Sequence, residues 1–150
     1  MNTLDRQALK LLMRRGRMSW ADLAAKLDLS APSATDRVKK LEESGVIRGY
    51  AALVDAGKVG LGLTAFIAVS LDQHTQREKF LKRIQQMTAV LECHHVAGEY
   101  DFLLKVKCGG TGELERLLTE ELKGKAGAGR TMTTIVLGTH KETVELGMEE

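Results

Sequence analysis

The spacing of apolar residues changes period once along this chain, and that change constrains the fold more than any other feature. Up to residue 45 apolar positions recur every three or four residues, the period of an α-helix. Leu4, Ala8, Leu11 and Leu12 form one stripe, Leu23, Ala24 and Leu27 a second, and Ala34, Val38 and Leu41 a third. From residue 63 alternation takes over, as in Leu63, Ala65, Ile67, Val69 and Leu71, and again in Phe102, Leu104 and Val106. A period of two places neighbouring side chains on opposite faces of a strand. Between the two regimes stand Gly57, Gly60 and Gly62, which read as a hinge. The spacing therefore predicts two domains, residues 1–57 and 58–150.

Local signals refine each half. Ser19 precedes the second helix, with Asp22 in capping-box spacing. Ser30 precedes the third, and Pro32 fits its first turn, where a missing N–H costs nothing. Asp28-Leu29-Ser30 is a very short break between these helices, as in a helix-turn-helix, and Trp20 is expected to pack locally. Glycine is usual at the turn position held by Asp28; aspartate tolerates left-handed backbone better than most residues. Residues 46–54 read as a strand, making the unit winged. In the second half, Thr75 and Glu78 suggest a capping box for a helix carrying Phe80, Leu81, Ile84 and Met87. Residues 89–96 and 100–107 read as a hairpin turning near Gly98 and Glu99. Thr111 is the expected cap of a helix with Leu114, Leu117, Leu118 and Leu122 inward, and residues 130–139 form a last strand. The order β-α-β-β-α-β gives a ferredoxin-like sandwich, so the whole chain is α+β. One face of such a sheet lies under helices. The apolar alternation over 63–71 then argues for burial of the other face in at least a dimer.

Charge is uneven. Residues 1–50 hold ten Lys/Arg against six Asp/Glu, whereas residues 51–150 hold twelve against fourteen. The first half suits a polyanion partner and the second does not. Residues 1–6 lack a signal peptide's apolar core, and no apolar run reaches the roughly 20 residues of a membrane helix. A cytoplasmic protein with no membrane partner is expected. Cys93 and Cys108 would sit ~13 Å apart along the hairpin at ~3.3 Å per residue, too far for a disulfide. His94 and His95 leave opposite faces of their strand, and Glu92 with His94 offers too few ligands for a metal. Residues 124–131 nearly spell a phosphate-binding loop. Arg130 replaces its lysine, however, and the order is helix, loop, strand rather than strand, loop, helix. No cofactor, metal site or catalytic residue is expected.

In a helix-turn-helix the second helix crosses the DNA backbone and the third lies in the major groove. With Ala34, Val38 and Leu41 inward, Pro32, Ser33, Asp36, Arg37, Lys39 and Lys40 point away from the core. Arginine can fork onto guanine, serine can bond bases or phosphates, and lysines neutralise phosphates. These six residues, with Ser19 at the start of the second helix, are the candidate DNA contacts.

The run Leu4-Asp5-Arg6, Gly16-Arg17-Met18-Ser19, Leu23-Ala24, Leu29-Ser30, Arg37 to Glu42 and Gly45 to Tyr50 resembles the Lrp/AsnC (feast/famine) transcription regulators. Gly98-Glu99-Tyr100-Asp101-Phe102-Leu103-Leu104 resembles that family's amino-acid-sensing domain. The likeness spans residue 4 to about 140. Ala8 and Asp28 depart from the family pattern, which has an acidic residue and glycine there. The resemblance implies a sequence-specific regulator of double-stranded DNA, not an enzyme. It also implies dimers joined through the C-terminal sheets, assembled further into tetramers or octamers. Effector sites at contacts between dimers are implied, formed partly by the Gly98–Asp101 loop. In that loop the Gly98 turn can offer amides to a carboxylate, Asp101 can pair with an ammonium, and Tyr100 supplies a wall and a hydroxyl. Glu99 belongs to the same loop, and Thr133 and Thr134 are candidate hydroxyl donors from the last strand. Two alternatives share this architecture: a siroheme decarboxylase, with His94, His95 or His140 as catalytic candidates, and a ligand sensor without DNA binding.

Overall fold

The computed structural model describes residues 2–72 and 76–148. Two compact units divide it: Met1–Leu53 together with Lys141–Glu150, and Val54–His140. The boundary expected from the sequence, at 57/58, leaves the C-terminal residues with the second half. The tail instead joins the first unit, where Glu145 meets Arg14 at 2.6 Å and the Leu146 N–H donates to Met13 Sδ at 3.4 Å.

The first unit holds α1 (Thr3–Arg14), α2 (Trp20–Leu27) and α3 (Ala31–Glu43). Asn2 caps α1 reciprocally: its side-chain oxygen accepts the Asp5 N–H and Asp5 Oδ2 accepts the Asn2 N–H, both at 2.9 Å. This capping box satisfies two amides that a helix start leaves orphaned. Ser19 and Ser30 cap α2 and α3 as expected. Asp28 closes α2 in left-handed backbone, φ 53° and ψ 46°, with its N–H directed at the Ala24 and Ala25 carbonyls. Ala8, Leu12, Leu23, Leu27 and Val38 make the core, with Ile47 packed against it. Trp20 does not pack away; it is 47% exposed.

Residues 46–54 are not a strand. A strand needs a partner's backbone, and this segment makes no ladder; the Ile47 N–H is spent on the Leu41 carbonyl at 3.0 Å, closing α3. Tyr50 then bonds Glu42 through its hydroxyl at 2.8 Å. Partial burial of the ring and the Glu42 carboxylate push that phenol up to about 12.

The second unit is β1 (Leu63–Val69), α4 (Arg77–Ile84), β2 (Val90–His95), β3 (Phe102–Cys108), α5 (Thr111–Arg116) running on as a π-helix over Leu117–Lys125, and β4 (Thr131–Ile135). The strands form one antiparallel sheet in the order β2-β3-β1-β4, the ferredoxin-like arrangement. Ala65, Ile67, Val69, Phe102, Leu104 and Val106 face α4 and α5, which contribute Phe80, Ile84, Leu114 and, from the π-helix, Leu117 and Leu122. The alternating stripe from Leu63 is thus the covered face, not the open one. The open face carries Phe66, 37% exposed, and Met132, 52% exposed. Thr111 is not the cap of α5: Gly110 holds that position, and the Glu113 carboxylate accepts the Gly109 N–H at 2.7 Å instead. The cap expected at Thr75 lies outside the described residues. Cys93 and Cys108 are free thiols, and burial pushes the Cys93 thiol up.

Candidate nucleic-acid interface and effector loop

On α3, the residues Ala34, Val38 and Leu41 are buried, which fixes the rotation of the helix. Pro32, Ser33, Asp36, Lys39 and Lys40 are exposed. Their charges are paired along their own helix, Lys40 with Asp36 at 2.7 Å and Lys39 with Glu43 at 3.7 Å. Lys40 beside Asp36 holds that carboxyl below the usual range. Such exposed i,i+4 pairs are weak, so both ammonium groups can exchange a carboxylate for a phosphate at little cost. Ser33 Oγ accepts from Ser30 Oγ at 2.8 Å, leaving its own proton to donate outward. Ser19 is different: its hydroxyl donates to Asp22 Oδ2 at 2.7 Å while accepting the Asp22 N–H at 3.1 Å, so its proton is already used in the cap.

Arg37 departs from the expected outward face. Its guanidinium turns back to the start of α1, where Nη1 donates to Asp5 Oδ1 at 2.5 Å and Asn2 Oδ1 at 3.0 Å. The side chain is 24% exposed. The backbone hydrogen bond from Asn2, then Arg37, hold the Asp5 carboxyl below its ordinary value, against the opposing effect of burial. The helical period places Arg37 at the margin of the inner face, and a long side chain at such a margin can reach a neighbouring helix.

In the second unit, Gly98 adopts φ +140°, backbone that favours glycine. Asp101 is tied inward. Its Oδ2 accepts the Leu71 N–H at 2.8 Å, its N–H donates to the Val69 carbonyl at 2.9 Å and its carbonyl accepts from Val96 at 2.9 Å. It therefore latches the hairpin to the end of β1. Thr133 pairs with Ile67 and Thr134 with Phe66, so the two threonines lie on opposite sheet faces and do not converge on one ligand. The residue that does meet the loop is Arg130, whose guanidinium lies 4.8 Å from the Tyr100 ring centroid and 3.0 Å from Glu99. In the sequence Arg130 registers only as the residue that spoils a phosphate-loop pattern; its proximity to Tyr100 follows from the pairing of β4 with β1, which no local motif reports.

His94 and His95 leave opposite faces. His94 Nε2 is 3.1 Å from Glu92 Oε2, and Lys105 is 3.4 Å from the same carboxylate. His95 lies against Phe102, with Arg77 beside it. Among the described residues no three His, Cys, Asp or Glu side chains gather as a metal site. No described helix is long and apolar enough to cross a membrane.

Two families match the chain, one at each end. Residues 1–48 match the family described as winged helix-turn-helix DNA-binding, and residues 64–146 that described as the Lrp/AsnC ligand binding domain. An uncharacterised HTH-type transcriptional regulator of Pyrococcus horikoshii is 34% identical over 96% of this chain and 97% of its own length. The leucine-responsive regulatory protein of Escherichia coli is 30% identical over 97% of this chain and 90% of its own. Among solved structures, a transcriptional regulator from Neisseria meningitidis in complex with L-Met superposes with a TM-score of 0.93 at 30% identity, covering 98% of this chain and 96% of that one.

Proposed function

The chain belongs to the Lrp/AsnC family of helix-turn-helix transcriptional regulators with a ligand-binding domain, and from that premise we propose how its own residues divide the work. α3 enters the major groove of double-stranded DNA. Ser33 and Asp36 approach base edges, Lys39 and Lys40 meet phosphates, and Pro32 and Ser19 shape the helix starts that face the backbone. The observation that carries this reading is the α3 surface itself: two exposed lysines held, among the described residues, by weak pairs on their own helix.

The effector is an amino acid, the class of molecule that the Neisseria regulator holds in its complex with L-Met. Glu99 and Arg130 form an exposed ion pair, and a zwitterion offers each an opposite charge: its carboxylate for Arg130 and the Gly98 turn amides, its ammonium for Glu99. Tyr100 walls the site. Asp101 holds the loop in place, and of the two threonines Thr133 or Thr134 can join, not both. The protein acts as a cytoplasmic regulator without enzymatic activity. It assembles at least as a dimer through the open sheet face bearing Phe66 and Met132, and further into tetramers or octamers.

The test is fluorescence anisotropy on labelled duplex, with and without each common amino acid, beside sedimentation of the same samples. Duplex binding that an amino acid strengthens or weakens, with a change in assembly, supports the reading. Arg130→Ala should lose that response and keep DNA binding. Amino-acid-independent binding overturns the effector assignment.

A further inference from the structure

The Arg37 guanidinium bonds residues 32 and 35 positions earlier, at the start of another helix. Nη1 is engaged by both Asp5 and Asn2, and Nε is buried without a partner among the described residues. A bidentate fork onto guanine needs two N–H groups presented together along one edge. Arg37 has no such free edge while it holds Asp5. The same two acceptors are the α1 capping box, so one cluster ties the first turn of α1 to the middle of α3.

We propose that Arg37 is a positioning residue: the Asn2–Asp5–Arg37 cluster sets the angle of α3 on α1, and so how the recognition helix meets the groove, without Arg37 itself touching a base. α3 has 13 residues. It is therefore ~20 Å long, and a tilt of ~10° moves its end by ~3 Å, more than a base contact tolerates. The inference rests on α3 being the DNA-reading helix.

The test uses the full chain and a pool of duplexes of randomised sequence, from which the wild type selects its preferred site. Asp5→Asn, Arg37→Gln and the double variant are then titrated against that duplex and its single-base-pair changes. Positioning expects each single variant to bind about tenfold more weakly and the double variant to bind no worse than the weaker single. The base preferences should keep their order in all three. Base reading by Arg37 expects the opposite at Asp5. Releasing the arginine leaves affinity unchanged or raises it, and Arg37→Gln loses discrimination at one base pair alone; that pattern overturns the inference. Should Asp5→Asn lose its helical signal, Asn2→Ser decides. Serine keeps the cap but not the amide oxygen that reaches Arg37. Its affinity should then fall about two- to fivefold, and an unchanged affinity overturns the inference. A wild type that selects no duplex overturns the DNA reading itself and the inference with it.

Discussion

The surface of α3 and the loop at Gly98–Asp101 both present charged side chains, and they spend them differently. On α3, Lys39 and Lys40 pair with acids one turn away on their own helix, at the exposed surface. In the loop, the Asp101 carboxylate is bound to the Leu71 N–H just past β1 and Glu99 to Arg130 ahead of β4. The first arrangement is open to a polyanion as it stands. The second is already satisfied from within, so a ligand there must displace an internal partner or match two at once. A zwitterion does the latter. The comparison teaches that charge alone does not mark a site; what matters is whether its present partner is cheap to leave.

The comparison breaks most sharply by removing one region. Phe80 is fully buried, with its ring 4.9 Å from that of Phe102. Phe80→Ala should cost the second unit ~3–5 kcal/mol through reduced burial and the cavity left behind. If the α3 surface is self-contained, far-ultraviolet dichroism should show the helices of the first unit persisting after the sheet has melted. A single coincident transition would show that α3 depends on the sheet.

Next in size is the latch. Asp101→Ala leaves the half-buried Leu71 N–H without its acceptor and should cost ~1–3 kcal/mol in urea denaturation with no ligand present. A variant of wild-type stability with altered amino-acid binding would instead make Asp101 a ligand contact. For α3, the double variant Lys39→Ala with Lys40→Ala should flatten the logarithmic salt dependence of DNA binding by about two units, at ~0.9 for each phosphate no longer neutralised. An unchanged slope would remove both lysines from the phosphate backbone.

What could be read from the sequence follows the same division. The inward face of α3 is legible because a helix reports its own rotation: Ala34, Val38 and Leu41 at three- and four-residue spacing leave one solution. Near its turn the hairpin register is legible for a similar reason, since a short turn fixes it and Cys93 pairs with Leu104; beyond it a bulge between Val90 and Glu92 shifts the pairing so that Val90 meets Val106, which no spacing announces. Partners far along the chain are not legible either. Nothing local to Arg37 announces Asp5, although Asn2 and Asp5 stand in the three-residue spacing of a capping box. Nothing local to Arg130 announces Tyr100. Grouping Thr133 with Thr134 fails because adjacency in a strand separates side chains rather than gathering them. Residues 46–54 have the composition of a strand, but composition does not supply a partner.

The smallest effect concerns the turn that sets α2 against α3. Asp28 sits at φ 53° and ψ 46°, where a side chain crowds its own backbone. Among the described residues its carboxylate has no hydrogen-bond or ion-pair partner to offset that strain. Glycine accepts this backbone without strain but gives up more freedom on folding, so the two effects partly cancel. Asp28→Gly should therefore stabilise the first unit by ~0.5–1 kcal/mol, raising its midpoint by a few degrees. Asp28→Ala, with no polar side chain to favour the left-handed region, should lower it. DNA affinity of the glycine variant should hold or rise slightly, because an acidic group leaves a surface that meets phosphates. Thermal melting of the three proteins side by side checks the order Gly, Asp, Ala. If glycine melts below aspartate, the carboxylate contributes to the turn in a way its geometry does not reveal, and the α3 surface is less self-contained than its own-helix pairs suggest.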